Sequence, residues 1–162
     1  MRAVFESFNC RIIIKSRIDK VMENNPRLFS KQFTVRQYEC DSGGGVAHAV
    51  YLNYLEEARH EVLTELNFPF DELKKQKLGF VVLHIQIDYK ASLFGAENFV
   101  IETVMERISK LRLRFDQVIY RLPERTVIAT GVNVGTTVNV ENRPLMPEII
   151  EILLDDYPIQ KD

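Results

Sequence analysis

The residues with the clearest chemical potential are Asp41 and the turn that follows it. After Ser42 come three successive glycines, Gly43 to Gly45, and such a run forms a loop with unusual backbone angles. A helical pattern begins at Ala49, and the unpaired N–H groups at a helix start favour a developing negative charge. A carboxylate across the same turn can attack a carbonyl carbon or activate a water. This arrangement predicts chemistry on a carbonyl group that requires neither a metal nor a cofactor.

Two elements are predicted on either side of this turn. Alternating side chains from Lys31 to Tyr38 predict a short strand that ends just before Asp41. After the glycines, apolar residues at helical spacing predict one long helix; they are Tyr51, Tyr54, Leu55, Ala58, Val62 and Leu66. The Asn67-Phe68-Pro69 segment ends this helix, and residues 70–77 are expected to add a short second one.

The rest of the chain is predicted to be mostly strands. Alternation or β-rich composition marks residues 83–89, 99–109, 111–116 and 128–140, and residues 148–156 are expected to form a short terminal helix. One face of the last strand is small enough for a helix to approach closely; it carries Ala129, Gly131, Asn133 and Gly135. Short links between successive strands favour an antiparallel meander. The expected class is α+β, with one long helix wrapped by a curved antiparallel sheet of about five strands.

Length and composition exclude several classes of protein. The 162 residues suit one domain, and 46% hydrophobic residues allow a real core. A formal net charge of -2 argues against nucleic acid as a partner. Two cysteines cannot make a disulfide framework, which favours a reducing compartment such as the cytoplasm. No apolar run approaches the roughly 18 residues of a membrane span.

The N-terminal stretch differs from the remainder. Residues 1–24 carry an excess of basic side chains and one short apolar run, Ile12-Ile13-Ile14. A peptide for organellar import and a true start at Met22 both remain open. We expect residues 1–30 to be an extension that the domain, residues 31–162, does not need, because Asn24-Asn25-Pro26 indicates a break. A chain that starts at Met22 should therefore fold and dimerise.

The segment from Tyr38 to Arg59 resembles the hot-dog-fold acyl thioesterases of the 4-hydroxybenzoyl-CoA thioesterase type. The matching positions are Asp41 for the catalytic aspartate, Gly44 for the turn glycine, Tyr51 for the helix tyrosine, and Glu56 and Arg59 further along the helix. The resemblance covers residues 33–147, and residues 50–63 and 120–123 look most similar to plant-type acyl-lipid thioesterases, which act on fatty acyl-ACP. The sequence departs from the family pattern at Gly45, Ala47, His48 and Ser92, so the shape of the pocket is not carried over.

The resemblance implies a hot-dog enzyme of fatty acid metabolism that hydrolyses acyl-CoA or acyl-ACP to the free acid and the thiol. Asp41 would act as nucleophile or general base, and the backbone N–H of His48 would polarise the thioester carbonyl. Substrate contacts are expected from Gly44, Val46, Tyr51, Arg112 and Arg114. The resemblance also implies a homodimer, or a tetramer built as a dimer of dimers, in which two sheets join edge to edge and each active site lies at the subunit boundary.

Simpler roles remain open for several of these residues. Asp41 could merely cap the helix or stabilise the turn. Arg112 and Arg114 share one strand face with Lys110, which suits CoA phosphates or an acidic carrier protein but equally suits a solvated face. Three charged helix residues are expected on the helix surface or at a subunit contact: Glu56, Glu57 and Arg59.

Two other functions also remain open. A hot-dog dehydratase would need a catalytic histidine, His48 or His84, paired with a distant carboxylate. A non-catalytic acyl-binding domain would use the same fold as a sensor, since fold alone does not decide function. A metal site made of His48, Cys40 and Asp41 matches no standard zinc spacing.

Overall fold

A computed structural model describes residues 28–155 of the chain. Within this range the elements are β1 (Leu28–Thr34), a 3₁₀ turn (Gln37–Glu39), α1 (His48–Glu65), α2 (Phe70–Lys75), β2 (Gly79–Tyr89), β3 (Asn98–Ser109), β4 (Arg112–Arg121), β5 (Thr126–Val138) and α3 (Glu148–Leu153). The predicted α+β class, the long helix and the strand-rich remainder are confirmed. No helix between residues 28 and 155 is long and apolar enough to cross a bilayer.

The strands form one antiparallel sheet in the order β1-β3-β4-β5-β2. β3, β4 and β5 are neighbours in chain order, as a meander requires. β2, however, pairs with β5 at one edge, and β1 pairs with β3 at the other. The meander prediction is therefore wrong for β2. Residues 90–97 must cross over β5 and β4 to reach β3, and this crossover becomes part of the site described below.

The long helix α1 packs on one face of this sheet, and the small side of β5 lies beneath it. A Cβ atom added to Gly131 would stand 2.9 Å from Cδ1 of Leu55 on the helix. Ala129 and Asn133, on the same side of the strand, are almost fully buried. The prediction that this face admits a close approach is confirmed, because the missing side chains give the helix its place.

Gly135, further along β5, should tolerate even an alanine poorly. An added Cβ would lie 2.6 Å from two ring atoms of Phe80 and 3.0 Å from the backbone oxygen of Val81. We expect Gly135→Ala to lower the free energy of unfolding by about 1–3 kcal/mol, the usual cost of overpacking. Urea denaturation followed by circular dichroism measures this change. Gly79→Ala is the matched control, because its nearest neighbour would be 4.0 Å away, and equal losses in both variants would contradict the prediction.

The first strand differs from the predicted boundaries at both ends. β1 begins at Leu28, so residues 28–30 of the expected extension pair with β3. It ends at Thr34, because Arg36 and Glu39 close a 3₁₀ turn in which the Glu39 carboxylate accepts the Arg36 N–H at 2.6 Å. The predictions for residues 1–27, and the last residue of the predicted terminal helix, lie outside the described residues. A start at Met22 keeps β1 whole, and its success stays a prediction.

Arg59 is not a surface residue, contrary to the expectation. Its side chain is 6% exposed, and Nη1 donates to Oε1 of Gln117 on β4 at 3.0 Å. Burial lowers the pKa of the Arg59 guanidinium. Glu56 and Glu57 are exposed as expected, and Glu57 forms an ion pair with Lys31 of β1 at 3.2 Å. The charge of Arg59 predicted a place on the helix surface. In the structure the side chain is buried against the sheet, where the amide of Gln117 is its hydrogen-bond partner.

Candidate active site

Asp41 begins a tight turn that is held by its own backbone and side chain. Its N–H donates to the Gly45 oxygen at 2.8 Å, and its carbonyl accepts the Gly44 N–H at 3.0 Å. Oδ1 of Asp41 accepts the Gly43 N–H at 2.8 Å. Gly44 has a φ of 81°, a left-handed angle that favours glycine. The Asp41 side chain is exposed, and Oδ2 accepts no hydrogen bond from any residue between 28 and 155.

The start of α1 presents free donors on the other side of this turn. The helix begins at His48, and the preceding residue Ala47 has no side chain that could cap it. The Ala47 N–H donates to the Glu39 oxygen at 3.1 Å, and the Val50 N–H to the Ala47 oxygen at 2.9 Å. Within the described range, the N–H groups of His48 and Ala49 have no acceptor. Such orphan donors at a helix start can bind an anion.

The crossover, residues 90–97, fixes the turn against the helix. The Val46 N–H donates to the Leu93 oxygen at 2.8 Å, and Gly45 forms an isolated bridge with Phe94. The Leu93 N–H donates in turn to the hydroxyl of Tyr51 at 2.9 Å. Burial raises the pKa of the Tyr51 phenol, so it stays neutral at physiological pH. Tyr51 therefore anchors the crossover by its hydroxyl.

Glu97 and Arg121 clamp the crossover from the other side. Nε of Arg121 donates to the Glu97 carboxylate at 3.1 Å, and its Nη2 donates to the Ser92 oxygen. The same carboxylate accepts the Phe94 N–H at 2.9 Å. Sequence reasoning missed this cluster, because Arg121 ends β4 whereas its partners lie in the crossover, more than twenty residues earlier. Their only signal was the departure at Ser92.

The structure does not bring Arg112 and Arg114 to the Asp41 turn of the same chain. Arg114 donates to both carboxylate oxygens of Asp116, at 2.8 and 2.7 Å, and Asp116 is fully buried. Arg121, at the far end of β4, is the residue that reaches the crossover. Since the rise is roughly 3.3 Å per residue, Arg114 lies about 23 Å from Arg121 along the strand. Any contact of Arg112 or Arg114 with substrate would involve a remote part of an extended ligand or the site of another subunit, and it stays a prediction.

Two histidines were candidates for a catalytic role, His48 and His84. His48 and His84 are both exposed, and neither imidazole bonds to a carboxylate among residues 28–155. In the same part of the chain, no three metal-ligating side chains lie close enough together to hold an ion. The contact that the structure gives His48 is through its backbone, since its carbonyl accepts the Tyr89 hydroxyl at 3.0 Å.

A cleft of about 620 Å³ opens between the outer edge of β1 and the first turns of α1. Phe33, Val50 and Tyr54 give it an apolar wall, and Arg36 and Glu39 stand among its polar residues. Glu39 lies two residues before Asp41, so the cleft adjoins the segment that leads into the turn.

Comparisons with known proteins agree on one family. The model of the thioesterase-like superfamily matches residues 35–153. The chloroplastic acyl-acyl carrier protein thioesterase ATL2 of Arabidopsis thaliana is 31% identical over 69% of this chain, which spans only 58% of that relative. The acyl-CoA thioesterase YbgC of Haemophilus influenzae is 36% identical over 64% of this chain and 81% of its own length.

A solved structure shows the same fold. The 1,4-dihydroxy-2-naphthoyl-CoA thioesterase from Synechocystis superposes with a TM-score of 0.73 over 81% of this chain and 99% of its own. At 16% sequence identity this likeness speaks for the fold alone. The hot-dog arrangement of one helix in a curved five-stranded sheet, predicted from the resemblance, is thereby confirmed.

Proposed function

The chain belongs to the thioesterase-like superfamily, and from this premise we propose that it hydrolyses acyl thioesters of CoA or of acyl carrier protein to the free acid and the thiol. One observation carries the proposal: a carboxylate oxygen and two N–H donors, all without a partner in the described residues, lie on either side of one glycine turn. The oxygen is Oδ2 of Asp41, and the donors are the N–H groups of His48 and Ala49. The relatives support it, since the ones named above are thioesterases.

The reaction follows from these two groups. The thioester carbonyl oxygen accepts from the free N–H groups, which stabilise the negative charge that grows on it. As nucleophile, Asp41 attacks the carbonyl carbon, the thiolate leaves and takes a proton from solvent, and water then hydrolyses the mixed anhydride. As general base, Asp41 instead takes a proton from the attacking water, and the same thiolate departs. Both routes give one acid and one thiol from one thioester and one water.

We propose that three further residues near the turn border the substrate: Gly44, Val46 and Tyr51. Gly44 lets the backbone adopt its left-handed angle at the turn beside Asp41. Val46 is buried and holds the crossover through its N–H. Tyr51, whose hydroxyl is occupied by Leu93, is proposed to border the acyl group with its ring only.

We further propose that the working unit is a homodimer joined along β2, with a tetramer of two such dimers as the alternative. Among the described residues β2 pairs only with β5, which leaves its other edge open. Val82 and Leu83 on this strand are 51% and 49% exposed. An open edge with large apolar side chains is a surface that proteins normally cover.

Leu83→Lys should prevent this association, because a lysine on an edge strand opposes pairing with another strand. We expect light scattering to give the mass of one chain for this variant and twice that mass for the wild type. Val140→Lys, at a 70% exposed position outside the sheet, is the matched control. A wild-type protein with the mass of one chain and full activity would contradict the dimer.

Thiol release from a panel of acyl-CoA and acyl-ACP substrates, followed with a thiol-reactive dye, tests the activity itself. A thioesterase releases stoichiometric thiol from at least one substrate. An acyl-binding domain would bind acyl-CoA without release, and a dehydratase would convert a 3-hydroxyacyl thioester while the thioester bond stays intact. Either result would overturn the proposal.

We propose the cytoplasm as the location, on the reducing environment that two cysteines favour and on the likeness to the bacterial enzyme. The chloroplastic relative keeps organellar import as the alternative. A fluorescent fusion of the full chain distinguishes the two.

A further inference from the structure

We propose that Glu39 and Tyr54 are positioning residues that set the start of α1 relative to Asp41, an inference that rests on the proposed function. The hydroxyl of Tyr54, in the second turn of the helix, donates to Oε2 of Glu39 at 2.6 Å. Glu39 lies two residues before Asp41, so this bond joins the segment that enters the turn to the helix that leaves it.

Glu39 holds three separate parts of the site. Its Oε2 also accepts the Arg36 N–H at 2.6 Å, which closes the 3₁₀ turn. Its backbone oxygen accepts the Ala47 N–H at 3.1 Å. Glu39 thereby occupies the donor just before the helix and leaves the next two N–H groups, those of His48 and Ala49, for a ligand.

Tyr54 is a well-fixed donor for this purpose. Its ring packs against Phe99 at 4.8 Å and Phe33 at 5.8 Å between centroids, and the side chain is 5% exposed. Two effects raise the pKa of the Tyr54 phenol: burial, which is the larger, and the hydrogen bond to Glu39. The hydroxyl therefore keeps its proton. The packing fixes the ring, and the ring in turn fixes the carboxylate of Glu39.

Catalysis depends on this arrangement because the N–H donors must lie at the right distance from the oxyanion. A donor misplaced by a fraction of an ångström stabilises the oxyanion less well, whereas the affinity for the substrate changes less. We therefore expect Tyr54→Phe in the full chain, which keeps the ring and removes the hydroxyl, to lower kcat roughly tenfold with KM within about twofold. Tyr38→Phe is the matched control, because it removes a hydroxyl from the same 3₁₀ turn at a 75% exposed position. It should keep wild-type kcat.

Two variants of Glu39 separate positioning from chemistry. Both bonds to the carboxylate end on one oxygen, so Glu39→Gln can retain them and should stay within about threefold of wild type, whereas Glu39→Ala should lose at least tenfold. If Glu39→Gln loses as much kcat as Asp41→Asn, Glu39 takes part in the reaction and the inference is wrong. Unchanged kcat in Tyr54→Phe also overturns it.

A measurement without substrate keeps the inference distinct from the proposed function. Amide ¹H–¹⁵N shifts of Ala47, His48 and Ala49 should move in Tyr54→Phe and stay in place in Tyr38→Phe, whether or not the protein hydrolyses thioesters. Unmoved shifts in Tyr54→Phe would show that the pair does not set the helix start. Moved shifts in an enzyme without thioesterase activity would overturn the function and leave the geometry standing.

Discussion

Asp41→Asn should fold like the wild type and lose thioester hydrolysis by about 10² or more. The amide oxygen of the asparagine can still accept the Gly43 N–H, so the turn should keep its conformation. What disappears is the second carboxylate oxygen, which faces solvent across from the free donors of the helix. An amide at this place can neither attack a carbonyl carbon nor take a proton from water. The measurement is kcat/KM on the best substrate of the thiol-release panel.

Asp71→Asn is the control for this substitution. Asp71 is an exposed aspartate near the start of α2 and has no contact with the turn. It should keep full activity. If Asp41→Asn stays within a few-fold of wild type while thioesters are still hydrolysed, another residue performs the chemistry and Asp41 only stabilises the turn.

His48→Pro should lose roughly 10²–10³ in rate, because it removes one of the two free N–H donors at the helix start. The structure makes this an unusually clean deletion. His48 is the first residue of α1, the position that proline suits best. Ala47 before it has a φ of -61° and a ψ of 138°, the extended backbone that a following proline requires. The fold should therefore survive, which circular dichroism checks.

His48→Ala is the partner variant, since it removes the imidazole and keeps the N–H. We expect its activity within about tenfold of wild type. The side chain is exposed and contacts no carboxylate in the described part of the chain, which favours a role for the peptide group. Should His48→Ala be as inactive as Asp41→Asn with its fold intact, the imidazole belongs to the chemistry and the dehydratase alternative regains support.

The local features of this protein were determined by the sequence alone. Periodicity placed the long helix within a residue of its observed start at His48. The glycine run after Asp41 predicted a loop with unusual backbone angles, and Gly44 has one, a φ of 81°. The small face of β5 also followed from composition. Each of these depends on side-chain volume or backbone angle at neighbouring positions, and such properties are readable from a short window of sequence.

The tertiary structure decided which distant segments meet. Alternation shows that a strand has a buried face but not which strand lies beside it, so the position of β2 next to β5 was not predictable. The crossover that this order demands brings Leu93 to Tyr51 and Arg121 to Glu97. Arg59 and Arg114 took buried partners, Gln117 and Asp116, for the same reason. From sequence alone, a charged side chain is predicted to be exposed to solvent. Only the packing of sheet and helix shows that a polar partner is available to it in the interior.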